Sequence, residues 1–280
     1  MEPTDVCQAA CPMCARETDQ AFRKDIKHHL RIEQIQQHFS DRIIAGLDKM
    51  FMCGNYGDPA AGYYTMDIYR YFRQVNPNIV LGMNTNGAVQ STFFWHELGR
   101  LFNQSQDYCV FSIDGLDDTN QVYRQNVNWE KLMANAEAFI LAGGSAQWDM
   151  LVYQHNQHQV DACEKLARDM GFKWFRAKVS KRGFTNRLVA PHGWNIPTTT
   201  TGRIRCHALQ EKSMYIDAQG RVSACCWLGT TQTNFVKDDL RTVKLTWKTA
   251  TPNLVCASAC SVNKNRTVFE DQWQREVQLC

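Results

Sequence analysis

The sequence predicts an α/β fold: an open barrel of parallel strands joined by helices, followed by a small cysteine-rich domain. Three observations predict it. Between residues 20 and 180, short apolar runs alternate with helical stretches. The units are about 30 residues long, the rhythm of parallel strands with right-handed crossovers. The apolar runs are short and nearly unbroken, as parallel strands buried on both faces are. Beyond residue 180 the rhythm stops, and cysteines crowd the remaining sequence.

The elements follow in order. Residues 25–39 read as a polar, partly amphipathic helix, with His28-His29 on its solvated face. Residues 49–53 form a strand closed by the turn-rich Gly54-Asn55-Tyr56-Gly57-Asp58-Pro59. A helix over 66–75 leads to a strand at 79–83, closed by Asn84-Thr85-Asn86-Gly87. A helix over 91–102 leads to a strand at 108–113, closed by Asp114-Gly115. The helix at 128–142 stops at Gly143-Gly144, and the helix at 157–170 stops at Gly171. Strands at 148–153 and 173–179 complete the set. Three polar loops thus fall at the strands' C-terminal edge, where barrels of this kind place their active sites.

Residues 186–202 carry Pro191, Gly193, Pro197 and Gly202 with a run of threonines, and read as a linker. The predicted domains are therefore a core over 1–185, this linker, and a domain over 203–280. Strands at 213–216 and 221–224 flank Asp217-Ala218-Gln219-Gly220 as a hairpin, and 239–247 reads as a short helix.

Composition narrows the function. The chain has 280 residues, 44% hydrophobic and 21% charged, with a net charge of +3. That is ordinary globular composition and gives no reason to expect nucleic acid or membrane as a partner. The basic, aromatic stretch 173–187 is explained as a barrel strand plus a solvated loop. No apolar run approaches the roughly 20 residues of a membrane span, and no secretory leader precedes Cys7, so a cytoplasmic location is expected. In a reducing compartment, twelve cysteines point to metal or redox chemistry instead of disulfides. Cys53, Cys109 and Cys163 lie in apolar or helical sequence and read as small buried hydrophobes. Cys280 reads as a free tail thiol.

Cys7, Cys11 and Cys14 are spaced C-x3-C-x2-C. On a helix they would share one face, but Pro12 would clash with the carbonyl of residue 8, so a loop is the better reading. Three thiols converging from a short loop suit either zinc or an iron–sulfur cluster. Three thiolates on a four-iron cluster leave one iron open.

This loop, with Glu2-Pro3-Thr4 before it and Pro12, Met13, Ala15 and Arg16 within and after it, resembles the signature of the radical S-adenosylmethionine (SAM) superfamily. The resemblance implies a partial (β/α)6 TIM-like barrel over residues 1 to about 180. It implies a [4Fe–4S] cluster on Cys7, Cys11 and Cys14, and bound SAM, cleaved reductively to a 5′-deoxyadenosyl radical that takes hydrogen from a substrate. Gly57-Asp58-Pro59 resembles the family's Gly-Gly-Glu-Pro loop, with Tyr56 and Asp58 departing from the pattern. Asn84 and Asn86 match the loop after the next strand. Ser112 and Asp114 match the motif near the SAM ribose, and Arg124 the partner of the SAM carboxylate. Gln154 and Asn156 would fall near the adenosine. Only residues 1–6 are left for the first barrel strand, which is very short or trimmed.

The tail resembles the SPASM domain or its shortened form, twitch. It lacks the longer cysteine run that holds a second auxiliary cluster. The resemblance implies one auxiliary [4Fe–4S] cluster on Cys206, Cys225, Cys256 and Cys260, with Cys226 as rival for the second position and structural zinc as the alternative. Such tails accompany peptide or protein modification. Radical chemistry on a nucleotide, sugar or other small molecule is the second reading, and an acidic small substrate would need Arg176, Lys178 or Lys181 facing the cavity. A non-catalytic metal scaffold is the third. The electron donor implied is a flavodoxin or ferredoxin.

Overall fold

The five apolar runs form the parallel strands of one sheet. The computed structural model describes residues 1–180, 182–193, 204–229, 245, 253–260 and 275–280. Strands β1 (Lys49–Met52), β2 (Val80–Thr85), β3 (Tyr108–Ser112), β4 (Ala146–Val152) and β5 (Trp174–Val179) lie side by side in chain order. Helices α1 (Ala15–Thr18), α2 (Ile32–Gln36) and α3 (Asp41–Ala45) precede β1. The crossovers carry α4 (Thr65–Val75), α5 (Thr92–Leu101), α6 (Asp117–Tyr123) with α7 (Trp129–Leu141), and α8 (Val160–Met170). A sixth strand, β8 (Arg275–Gln278), pairs antiparallel with β5. Glu276-Val277-Gln278-Leu279 alternates polar and apolar residues too briefly to announce a strand; the edge of β5 receives it.

The barrel architecture predicted from the sequence is present. Local rules explain its helix ends. The Asn128 side chain accepts from Lys131 N at 2.7 Å and caps α7. Gly171 ends α8 with φ +88°, a conformation that costs other residues more than glycine.

Register sorts the strands' side chains onto two faces. Thr85, Phe111, Trp148 and Phe175 line up on the outer face, where Phe111 packs against Trp95 and Phe139 of α5 and α7. All six are buried. Ser112, Asp149, Arg176 and Glu276 line up on the inner face. There Asn84, Ser112, Leu151, Trp174, Arg176 and Lys178 are only half-buried, so the inner face of the partial barrel stays open.

Met1 lies beside β1, where the first barrel strand is expected. Its N donates to Phe51 O at 2.6 Å and its O accepts from Cys53 N at 3.0 Å, the pattern of a parallel ladder beside β1. The expected helix over 25–39 shrinks to α2. Residues 28–30 pair with residues 3–5 instead: Leu30 N bonds Pro3 O, and Asp5 takes both His28 N and His28 Nδ1. The histidine pair thus braces the N-terminal segment and is not a solvated helix face.

In the cysteine-rich part, α9 (His207–Gln210) precedes the predicted hairpin, β6 (Tyr215–Ile216) and β7 (Val222–Ser223), and α10 (Leu254–Cys260) follows it. The hairpin rests on the core. Glu2 N bonds Ile216 O, Gln34 Nε2 bonds Gln219 O, and His38 Nε2 meets Gly220 O at 2.9 Å. The stretch 194–202 of the linker and, apart from residue 245, the expected helix over 239–247 lie outside the described residues. No described helix is long and apolar enough to cross a membrane.

Candidate active site

The cysteine loop runs in irregular conformation from Cys7 to Cys14, and α1 starts directly after it. Cys14 N bonds Cys11 O across Pro12, a tight turn. Two nearby loops hold it. Ala10 N bonds Gln125 O, and Arg16 Nη1 donates to Asp5 O and Tyr56 O. Cys11 is buried and Cys7 and Cys14 are half-buried. Burial pushes the Cys7 thiol up to about 12, with Asp58, Cys11 and Cys14 adding to the effect. Burial likewise pushes Cys11 up, against the pull of Arg124.

Gly54-Asn55-Tyr56-Gly57 folds back on itself. A Cβ on Gly57 would lie 2.0 Å from Thr4 O, so only glycine lets the loop meet the N-terminal segment. Glu2 clamps the loop: its carboxylate accepts from Tyr56 N at 2.6 Å, Gly57 N at 3.0 Å and Tyr215 Oη at 2.7 Å. Burial pushes Glu2 up to about 7 despite these donors. Phe22 stacks on Tyr56 at 4.4 Å, and Tyr56 Oη bonds Asp19. Glu2, Asp5, Arg16 and Tyr56 therefore shape the site; Glu2 and Arg16 flank the cysteine motif and Tyr56 lies in the Gly57 loop, but only the structure gives them these partners.

Asp58 is fully engaged. It accepts from Thr85 Oγ1, Ala60 N, Asn86 N and Asn86 Nδ2, tying its loop to the one after β2. Asn86 Nδ2 also points at Cys7 Sγ, 3.6 Å away. Asn84 and Ser112 occupy the half-buried inner face. Asp114 is completely buried and accepts from Arg124 Nε at 2.7 Å and Leu151 N at 2.6 Å. Burial alone would disfavour the Arg124 charge; Asp114 keeps the guanidinium protonated. Its Nη1 lies 3.9 Å from Cys11 Sγ. Asn156 spends its side chain on Asp114 O, Leu151 O and Tyr153 N, so it shapes the turn after β4. Gln154 is exposed and faces His192 Nε2 at 2.6 Å.

The sequence matches the Radical SAM superfamily over residues 1–170. The chain belongs to the radical SAM superfamily. It is thus an enzyme of a class that carries a [4Fe–4S] cluster and SAM. No curated protein matches the sequence. Among solved structures, Streptococcus suis SuiB bound to S-adenosylmethionine is 14% identical, with TM-score 0.58, over 86% of this chain and 63% of that one. SuiB bound to its precursor peptide SuiA is 16% identical, with TM-score 0.58, over 86% and 62%. anSMEcpe with bound AdoMet is 17% identical, with TM-score 0.49, over 62% and 46%. The chain therefore spans less than two thirds of the length of these structures, and the likeness to SuiB is one of fold.

The residues present fit such a cluster. Its thiolates and sulfides carry negative charge, and N–H donors on the sulfurs tune it. Asn86 Nδ2 and Arg124 Nη1 are such donors, aimed at Cys7 and Cys11. Among the described residues no three ligating groups converge as tightly as around one ion; a four-iron cluster asks for wider spacing, since each cysteine takes a different iron. A cavity of 660 Å³ opens at the other edge of the sheet, by Lys49, Val80 and Tyr108 at the strand starts, away from the thiols.

In the tail, Cys206 and Cys256 are buried and Cys225 and Cys260 half-buried. Cys225 packs beside Cys256 and feels the charge of Cys206, while Arg205 N bonds Cys260 O. The segment at 205–206, Cys225 and α10, which carries both Cys256 and Cys260, thus lie close together. Burial pushes the Cys226 thiol up to about 12, with Cys53 and Cys225 adding to the effect, and Cys226 O accepts from Asn55 Nδ2 at 2.8 Å. Cys109 and Cys163 are buried hydrophobes as expected, and Cys53 is half-buried. Cys280 is exposed, its Sγ 3.4 Å from Phe172 O.

Proposed function

We propose that the chain modifies a peptide or protein by radical SAM chemistry, with Cys7, Cys11 and Cys14 as the cluster ligands and Cys206, Cys225, Cys256 and Cys260 holding an auxiliary [4Fe–4S] cluster. The observation that carries the reading is the pair of donors, Asn86 and Arg124, aimed at two thiols of the loop at the strands' C-terminal edge. When bound, the cluster and SAM supply reductive cleavage of a C–S bond and a radical able to take hydrogen from the substrate.

The chain's own residues bind and orient. Gly57 lets its loop lie directly against Thr4, which any side chain at that position would strike. Asp58 fixes that loop against the one after β2, so both approach SAM as one surface. Asn84 and Ser112 present polar groups on the open inner face, Ser112 toward the ribose. Asp114 pre-orients Arg124, whose remaining N–H groups are available to the SAM carboxylate. Asn156 holds the turn beside the adenosine, and Gln154 lies at its outer rim. Domain limits of 1–185 for the core and 203–280 for the auxiliary unit suit this division. The peptide reading is supported by the likeness in fold to SuiB, a protein seen bound to its precursor peptide SuiA.

The test is anaerobic. The protein is reconstituted with iron and sulfide, iron is counted, SAM and a strong reductant are added, and 5′-deoxyadenosine is measured. About eight irons per chain with product is the expected result, two four-iron clusters on this ligand count. The Cys7→Ala, Cys11→Ala, Cys14→Ala variant should keep about four irons and make no product. Undiminished product in that variant would sink the assignment.

A further inference from the structure

The inner face of the sheet carries a charge cluster that the cysteine site does not use. Asp149 on β4 is buried, its side chain 8% exposed. Arg176 on β5 grips it as a fork, Nε to Oδ1 at 2.8 Å and Nη2 to Oδ2 at 2.6 Å. Lys178, two residues along the same strand face, also places Nζ on Asp149 Oδ2. One carboxylate therefore receives two cations. The Arg176 fork alone engages both its oxygens, so Lys178 brings a charge and two further N–H donors that Asp149 does not consume.

The surroundings leave that ammonium available. Glu276, opposite Arg176 in register, is exposed at the sheet's far edge. Asp114 is committed to Arg124. Lys178 is 34% exposed and Arg176 37%, on the half-open inner face with Trp174 and Leu151. Ser112 is the register neighbour of Asp149, so the cluster begins one strand from the residues proposed to meet SAM. Lys181 lies outside the described residues.

We propose that Lys178, held in place by Asp149 and Arg176, anchors a carboxylate of the peptide substrate, an acidic side chain, on the inner face of the barrel. This rests on reading the chain as a peptide-modifying enzyme, and names a feature of its substrate.

The test uses two capped pentapeptides as probes, Gly-Gly-Glu-Gly-Gly and Gly-Gly-Gln-Gly-Gly, titrated calorimetrically into the reconstituted protein. The glutamate peptide is expected to bind about tenfold more tightly, with the preference shrinking at high salt. Lys178→Met should erase the preference, and Lys178→Arg should retain it. Lys178→Met leaves the Arg176–Asp149 fork intact, and an unchanged melting temperature checks its folding. SAM affinity is measured on the same variants and should not change. Equal binding of the two peptides, no binding of either, or a loss of SAM affinity in Lys178→Met would each overturn the proposal, the last because the cation would then serve SAM's own carboxylate. The titration needs no turnover. A protein that makes no 5′-deoxyadenosine fails the radical reading, and a missing glutamate preference fails the anchor.

Discussion

The two cysteine-rich regions are built on different supports. The loop holding Cys7, Cys11 and Cys14 is wired into the barrel from several directions: Asn86 from the loop after β2, Arg124 from the end of α6, Arg16 and Tyr56 from either side. The segments holding Cys206, Cys225, Cys256 and Cys260 lie around a two-residue-per-strand hairpin, joined to the core largely through Glu2, Asn55 and residues of α2. The difference teaches that only the first site is a product of the sheet. A strand edge fixes loops through its own hydrogen-bonded ladder, whereas a short hairpin fixes little beyond itself and needs a bridge. Glu2 is that bridge, holding the Gly57 loop with one oxygen and Tyr215 with the other.

Three substitutions sharpen or break this contrast. The largest effect belongs to Arg124→Met, which leaves the buried Asp114 carboxylate without its partner. Loss of one member of a buried pair costs about 3–5 kcal/mol, and urea unfolding should show it as a shift of the whole core. A change confined to the tail would instead mean that the loop is not wired as described.

Glu2→Gln comes next. The folded carboxyl titrates near 7 and its ordinary value is 4.5. Between those values the folded chain keeps a proton that the unfolded chain has released. The associated stability is complete below the lower value and is lost as pH rises through the upper one. The loss is roughly 3 kcal/mol at its limit. Unfolding followed across that window should show the slope in the parent and not in the variant, whose amide keeps the shape of the clamp. Identical slopes would show that Glu2 is ionised in the folded protein.

Tyr215→Phe should do least, about 1–2 kcal/mol for the bond lost from a buried carboxylate. Its effect should be local: limited proteolysis within 204–229 rises while the core's unfolding midpoint hardly moves. A core destabilised as much as by Arg124→Met would erase the contrast between the two regions.

The strands, most crossover helices and the cysteine loop were legible in the sequence, because each rests on local rules. Apolar runs bounded by turns make strands, glycine stops helices, and Pro12 forbids a helix through the thiols. The short reach of those rules also explains the misses. Residues 25–39 have helical spacing, yet residues 28–30 pair with residues 3–5 and only Ile32–Gln36 stay helical, a choice made by the Asp5 carboxylate from over twenty residues away. β8 carries a single polar–apolar alternation, Glu276-Val277-Gln278-Leu279, too short to announce a strand, and becomes one by pairing with β5.

The sequence by itself determined the family, the loop that carries the first three thiols, and the order of the polar loops behind it. Those depend on residue type and spacing along the chain. The tertiary structure alone decided which side chains meet: that Asp58 and Asn156 spend themselves on neighbouring loops, that Cys225 packs on the cluster of Leu228 and Cys256, and that Arg176 and Lys178 share Asp149. Strand register put the last three on one face. A one-residue slip would have sent them to opposite faces of the sheet, and no local pattern in the chain fixes that register.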